Sequence, residues 1–201
     1  MKRLACWLSL ALTALAENPY LIHKDDAPVT RQFSGKEWGD DLEIPPGKDG
    51  VPFQAKVTTQ RVASMAWGAI YKITFDPAPS KREISPYYFL ATDGEILFLA
   101  SEDMDREIRV ISGMTKQPRF EKSDVWGLSK GSLKVSDGPW TTTISARGDI
   151  CLRQAIHDGS GHFGRMEWRR GYGLVEFALG RGAMADGFEL KWKPSPKKNP
   201  K

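Results

Sequence analysis

The 201-residue sequence predicts an all-β fold, a single antiparallel sheet wrapped into a barrel-like sandwich of roughly eight to ten strands. Three observations predict it. Short apolar runs alternate with polar residues at the two-residue period of strands. Turn-forming Gly and Asp residues separate these runs at short intervals. Long helical periodicities are missing, and only the stretch near Asp103–Val110 has the pattern of a turn or two of helix.

The chain opens with MKRLACWLSLALTALA, which reads as a secretory signal over residues 1–16. Lys2 and Arg3 form the positive region, Leu4 to Leu15 the apolar run, and Ala14-Leu15-Ala16 a small-residue cleavage site. The run is shorter than the ~20 apolar residues of a comfortable bilayer span. Cys6 lies inside it, too early to carry a lipid. The expected product starts at Glu17 and is periplasmic or secreted. No later segment is apolar enough to predict a membrane span. About 185 residues then remain, enough for one domain with a sizeable core.

Residues 17–66 read as a loop-rich lead-in, with scattered Pro, Gly and acids and one or two short strands, one of them near Gln54–Thr59. From Trp67 the pattern sharpens. In WGAIYKITF, Trp67, Ala69, Tyr71, Ile73 and Phe75 alternate with Gly68, Lys72 and Thr74. In YYFLATDGEILFLAS, Asp93-Gly94 suits a type I′ turn, so Tyr87–Thr92 and Glu95–Ser101 should pair as a hairpin. Both arms are apolar on both faces, which predicts cover on each side. Further on, inward sets are Trp140, Thr142, Ile144 and Ala146, then Met166 and Trp168, then Val175, Phe177 and Leu179, then Phe188, Leu190 and Trp192. Residues 17–192 thus form one β domain. Lys193–Lys201, rich in Pro and Lys, should be a flexible basic tail.

The net charge of +4 is a property of the ends. The leader takes two positive charges with it, and the five lysines from Lys191 onward account for the rest, leaving residues 17–190 at a net −3. A basic core that would point to nucleic acid is therefore excluded. The tail lysines instead favour weak attraction to an anionic lipid or glycan surface.

Cys151, His157 and His162 are the candidate catalytic residues, as the one thiol outside the leader near two of the three histidines. The hairpin around Arg147-Gly148-Asp149 decides their geometry. A two-residue loop pairs Ala146 with Cys151 and Ile144 with Arg153. A three-residue loop pairs Ala146 with Ile150, Ile144 with Leu152 and Trp140 with Ile156, which sorts apolar with apolar and is the expected register. Cys151 would then share the more polar face with Arg153, whose charge could lower the thiol pKa. His157, six residues along one strand, would be ~20 Å from Cys151. Such a thiol lacks the base a nucleophile needs. The tripeptide Cys151-Leu152-Arg153 resembles the cysteine motif of L,D-transpeptidases, but that family places a histidine upstream and here only His23 precedes it.

Other chemistry is weaker in the pattern. Two imidazoles and Asp158 make an incomplete metal shell, so no metal or cofactor is expected. Asp103, Asp105 and Glu107 begin like a calcium loop, yet Ile108 and Met114 stand where glycine and glutamate belong. Arg147-Gly148-Asp149 also spells an adhesion tripeptide, although Gly-Asp is ordinary turn chemistry. Arg165, Trp168, Arg169, Arg170 and Tyr172 are the candidate binding residues for a sugar or phosphate, although alternation puts Arg165 and Arg169 opposite Trp168.

Asp149, Cys151, Leu152, Trp168, Gly171, Gly173, Leu174 and Val175, with the upstream TDGEILFLAS, form a segment similar to one in small secreted proteins and lipoproteins of bacteria. The resemblance covers residues 85–180 and implies a wrapped antiparallel sheet in the cell envelope, with no catalytic residues. An extra residue separates Asp149 from Cys151, and no lipidation cysteine follows the leader. The function expected is an exported, non-catalytic envelope protein that binds a partner protein or a lipid-like or glycan ligand on its sheet. A hydrolase or transpeptidase using Cys151, and a periplasmic inhibitor or immunity protein, are the alternatives.

Overall fold

The computed structural model describes residues 18–21, 27–44, 46–79, 86–182 and 186–193; the leader 1–16, His23 and the tail from 194 onward lie outside the described residues. Twelve antiparallel strands form one sheet: β1 (Val29–Trp38), β2 (Val51–Met65), β3 (Gly68–Asp76), β4 (Tyr87–Ala91), β5 (Glu95–Leu99), β6 (Val125–Leu128), β7 (Gly131–Asp137), β8 (Trp140–Arg147), β9 (Ile150–His157), β10 (Phe163–Arg169), β11 (Gly173–Gly180) and β12 (Gly187–Lys191). The all-β class holds, with more strands than the sequence suggests. The additional strands lie partly in the supposed lead-in, which contains β1 and the fifteen-residue β2.

Each strand pairs with its neighbour in the chain except β6 with β7, and β1 pairs with β12, so the sheet is a nearly closed barrel. Both seam glycines are sterically required. A Cβ on Gly35 would lie 1.7 Å from the Glu189 carbonyl oxygen, and one on Gly187 would lie 2.5 Å from both the Leu179 carbonyl oxygen and the Trp38 ring. At the opposite side, β6 leaves β7 and bends over the interior. The Leu128 N–H donates to Cys151 Sγ at 3.2 Å, and the Trp168 indole N–H donates to the Trp126 carbonyl at 3.3 Å.

The interior is filled from facing strands. Phe177 lies 5.6 Å from Phe75 and 5.2 Å from both Tyr87 and Phe188 between ring centres. Trp168 meets Phe89 edge-on at 5.2 Å, and Phe98 stacks on Trp126 at 4.5 Å. Each such side chain contributes ~1.5–3 kcal/mol on burial. Two bulges keep this packing in phase. On β11 the pairing shifts between Glu167 and Trp168, so Leu174 joins Phe177 in the core while Val175 is passed over. On β2 it shifts at Val62, which is left exposed.

The β4–β5 hairpin has the predicted two-residue loop, with the Thr92 N–H bonded to the Glu95 carbonyl at 2.9 Å. Its turn is not type I′, because Gly94 lacks the positive φ that type requires. The Thr92 hydroxyl instead accepts from the Glu95 N–H at 3.1 Å. Leu90 and Leu97, on the face away from Phe89, are fully buried. The cover expected there is α1 (Met104–Ser112), whose Ile111 is buried and whose Met104 and Ile108 pack on the core. The acidic stretch considered for calcium serves this helix: Asp103 caps it by accepting from the Arg106 N–H at 2.9 Å.

Residues 18–21 plug one end of the barrel. The Asn18 side chain donates to the Thr92 carbonyl at 2.8 Å and accepts from the Tyr20 N–H at 3.0 Å, and the Gly171 N–H donates to the Pro19 carbonyl at 2.8 Å. Tyr20 and Leu21 are thereby buried against the turns of that end. Among the described residues nothing closes the other end.

Candidate functional site: a one-ended cavity in the barrel

The β8–β9 hairpin takes the two-residue loop, correcting the sequence-based register. Arg147 pairs with Ile150, Ala146 with Cys151, Ile144 with Arg153 and Trp140 with His157. Gly148 supplies the left-handed conformation at φ 58°. Cys151, Arg153 and Ala155 therefore point inward, while Ile150 and Ile156 are exposed. Sorting apolar with apolar misled because β6 makes the other face the inner one. It offers Cys151 a backbone donor and gives Arg153 an aromatic ring, Trp126, 4.0 Å from the guanidinium carbon.

These inward residues help to line a cavity of about 540 Å³ that opens at the unplugged end. Val135, Thr142, Ala155, Met166, Phe177 and Leu179 form its walls, and Trp126 and Arg153 border it on the β6 side. Asp137, Trp140, His162 and Arg181 stand at its rim. The volume is within the ~300–1,000 Å³ usual for small-molecule sites. Burial lowers the Arg153 pKa to about 10, and the side chain remains a cation at neutral pH.

Cys151 and the histidines are not brought together. Cys151 is fully buried opposite Ala146 near the plugged end, whereas His157 ends β9 at the open end. Burial pushes the thiol pKa up, opposed in part by the Leu128 N–H, so the lowering expected from Arg153 does not hold. His157, His162 and Trp140 form a rim cluster instead, with ring centres 5.8 Å apart for the histidine pair and 5.1 Å for Trp140 and His157. The Nδ1 atoms lie 2.9 Å from the Asp158 carbonyl (His157) and 2.7 Å from the Ser160 hydroxyl (His162). Among the described residues no group of three or more His, Cys, Asp or Glu could hold a metal ion.

The arginine–aromatic set does not make one surface either. Trp168 is fully buried in the barrel, and Arg165 and Arg169 lie on the outer face beside Glu176 at 3.0 Å and Glu167 at 3.5 Å. Arg170 pairs with Asp149 of the adhesion-like tripeptide at 3.6 Å. Tyr172 is exposed, with its ring near Trp192 and its carbonyl accepting from Arg31. The residues that sequence reasoning passed over as ligand contacts are Trp126 and Arg153. The available signal was an arginine two residues after Cys151 and two before Ala155, readable as inward only in the correct register.

The buried, unactivated thiol makes a direct prediction. Iodoacetamide should leave Cys151 of the folded protein essentially unmodified at pH 6, with His157→Ala and His162→Ala leaving the rate unchanged, and denaturant should expose it. Fast alkylation at pH 6 that either histidine substitution abolishes would establish a catalytic pair and refute this geometry.

No protein-family model matches the sequence, and no curated protein or solved structure is significantly similar to it.

Proposed function

We propose that this chain is an exported, non-catalytic binding protein whose barrel holds a small molecule with an apolar body. The cavity carries this reading: it lies toward the end of the barrel away from the buried Tyr20 and Leu21, and is walled mainly by aliphatic and aromatic side chains. The site in this reading is the barrel interior, whereas the sequence suggested a lipid-like or glycan ligand or a partner protein on the sheet. The outer face of β8–β10 mixes Thr141, Thr143, Gln154, Arg165 and Glu167 with Ile150, Leu152 and Ile156, unlike the unbroken apolar outer band of a membrane barrel. Among the described residues no helix is long and apolar enough to cross a membrane.

The neutral dye N-phenyl-1-naphthylamine should brighten on binding one-to-one. Ala155→Phe and Thr142→Phe, which fill the cavity from β9 and β8, should each abolish that signal while thermal unfolding stays cooperative. No brightening, or brightening unchanged in both variants, would reject the cavity as the site.

Export rests on residues 1–16 and is tested separately. The intact mass of the secreted protein should correspond to Glu17–Lys201 without lipid; a mass that retains the leader would refute it.

A further inference from the structure

Among the described residues only two charged side chains are at least nine-tenths buried, Arg153 and Glu176. Glu176 is answered on the outer face by Arg165 at 3.0 Å and Lys191 at 3.6 Å. Arg153 points inward and has no such answer. Its contact is the face of Trp126, its Nε has no hydrogen-bond partner, and it borders the cavity. A ring face offsets part of the lost hydration but accepts no planar hydrogen bonds, so the guanidinium keeps donors aimed at whatever fills the space.

Resting on the reading of the barrel as a binding cup, we infer that its occupant is an amphipathic carboxylate whose head group pairs with Arg153 and whose chain runs along Met166, Phe177 and Leu179. A carboxylate matches the guanidinium fork with two parallel N–H···O bonds, and the walls beyond it suit a hydrocarbon rather than a sugar. One buried cation calls for one negative charge. The ligand brings into the barrel the counter-ion that no described residue supplies, so head-group recognition and charge neutralisation are the same event.

The test is calorimetric titration of the full exported chain at pH 7.5 with decanoate, 1-decanol and decyltrimethylammonium. Decanoate is expected to bind one-to-one at least ~10-fold tighter than decanol, as a charge-assisted hydrogen-bonded pair implies, with the cation weakest. R153M should lose the preference, with decanoate binding no tighter than decanol. R153K keeps the charge without the fork and should retain a reduced preference, which provides a second variant should R153M not fold. Equal binding of decanoate and decanol by the wild type, or an undiminished preference in R153M, would overturn the carboxylate while leaving the cup in place. A wild type that binds neither would overturn both.

Discussion

Gly35→Ala is expected to open the seam between β1 and β12 and to destabilise the fold by about 3 kcal/mol or more, the upper range for overpacking. The obstacle is backbone: the added Cβ would sit 1.7 Å from the Glu189 carbonyl oxygen and 3.1 Å from the Leu190 Cα. No rotamer change relieves a clash with a carbonyl, so the strands must separate. The seam joins Ser34–Trp38 to Gly187–Lys191, and losing it divides the twelve-stranded sheet into two six-stranded sheets with β1 and β12 as new edges. For a domain of this size the melting temperature should fall by roughly 6–12 °C. Gly94→Ala is the control, because nothing lies within 4 Å of its Cβ position and its φ is not left-handed; its effect should stay within ~0.5 kcal/mol. Equal melting temperatures for Gly35→Ala and wild type would show that the seam is not needed for closure.

Arg153→Met is expected to act in the opposite direction and stabilise the unliganded protein. Burial lowers the guanidinium pKa from its ordinary value to about 10, so the folded state holds its proton less tightly than the unfolded chain does. Below about pH 10 the cation is present in both states, and the fold carries the whole desolvation cost. That cost is lost only as pH rises above about 10 toward the ordinary guanidinium range. Converted at 1.36 kcal/mol per pH unit, it is roughly 3 kcal/mol at neutral pH, of which the Trp126 stack returns ~1–2 kcal/mol. Methionine removes the cost and fills most of the volume, for a net gain of about 1–2 kcal/mol in chemical denaturation at pH 7. The gap between variant and wild type should narrow above pH 10. A variant less stable than wild type at pH 7 would mean that the guanidinium is stabilised by contacts beyond Trp126. A residue that weakens the empty fold and faces a cavity is the pattern of a binding group retained for its ligand.

Much of the architecture is legible in the chain, and the illegible parts have identifiable causes. The β3 pattern and the inward sets Met166/Trp168 and Phe188/Leu190 read correctly because large apolar residues alternate there with polar ones, and the β4–β5 hairpin, apolar on both faces, because Asp93-Gly94 marks its turn. The signal fails for β1, whose residues Val29, Arg31, Phe33, Gly35 and Glu37 mix charge and glycine into one face. In β2, Ala55, Val57 and Thr59 alternate, but the bulge at Val62 breaks the period before Met65. A strand at a barrel seam is selected for close approach as much as for hydrophobicity, and composition records only the second.

The sequence by itself determined the class: short alternating runs between turn residues can bury their apolar sides only as an antiparallel sheet, and their number requires that sheet to wrap. It also determined that Cys151 and His157, six residues apart on one strand, cannot touch. The tertiary structure alone decided which face of β9 is inside. That strand carries Ile150, Leu152 and Ile156 on one side and Cys151, Arg153 and Ala155 on the other, so neither side wins on hydrophobicity. The choice was made by β6, which arrives from far along the chain with a backbone donor for Cys151 and an indole for Arg153. Because side chains alternate with a period of two, that single contact placed a cation in the cavity wall rather than in solvent.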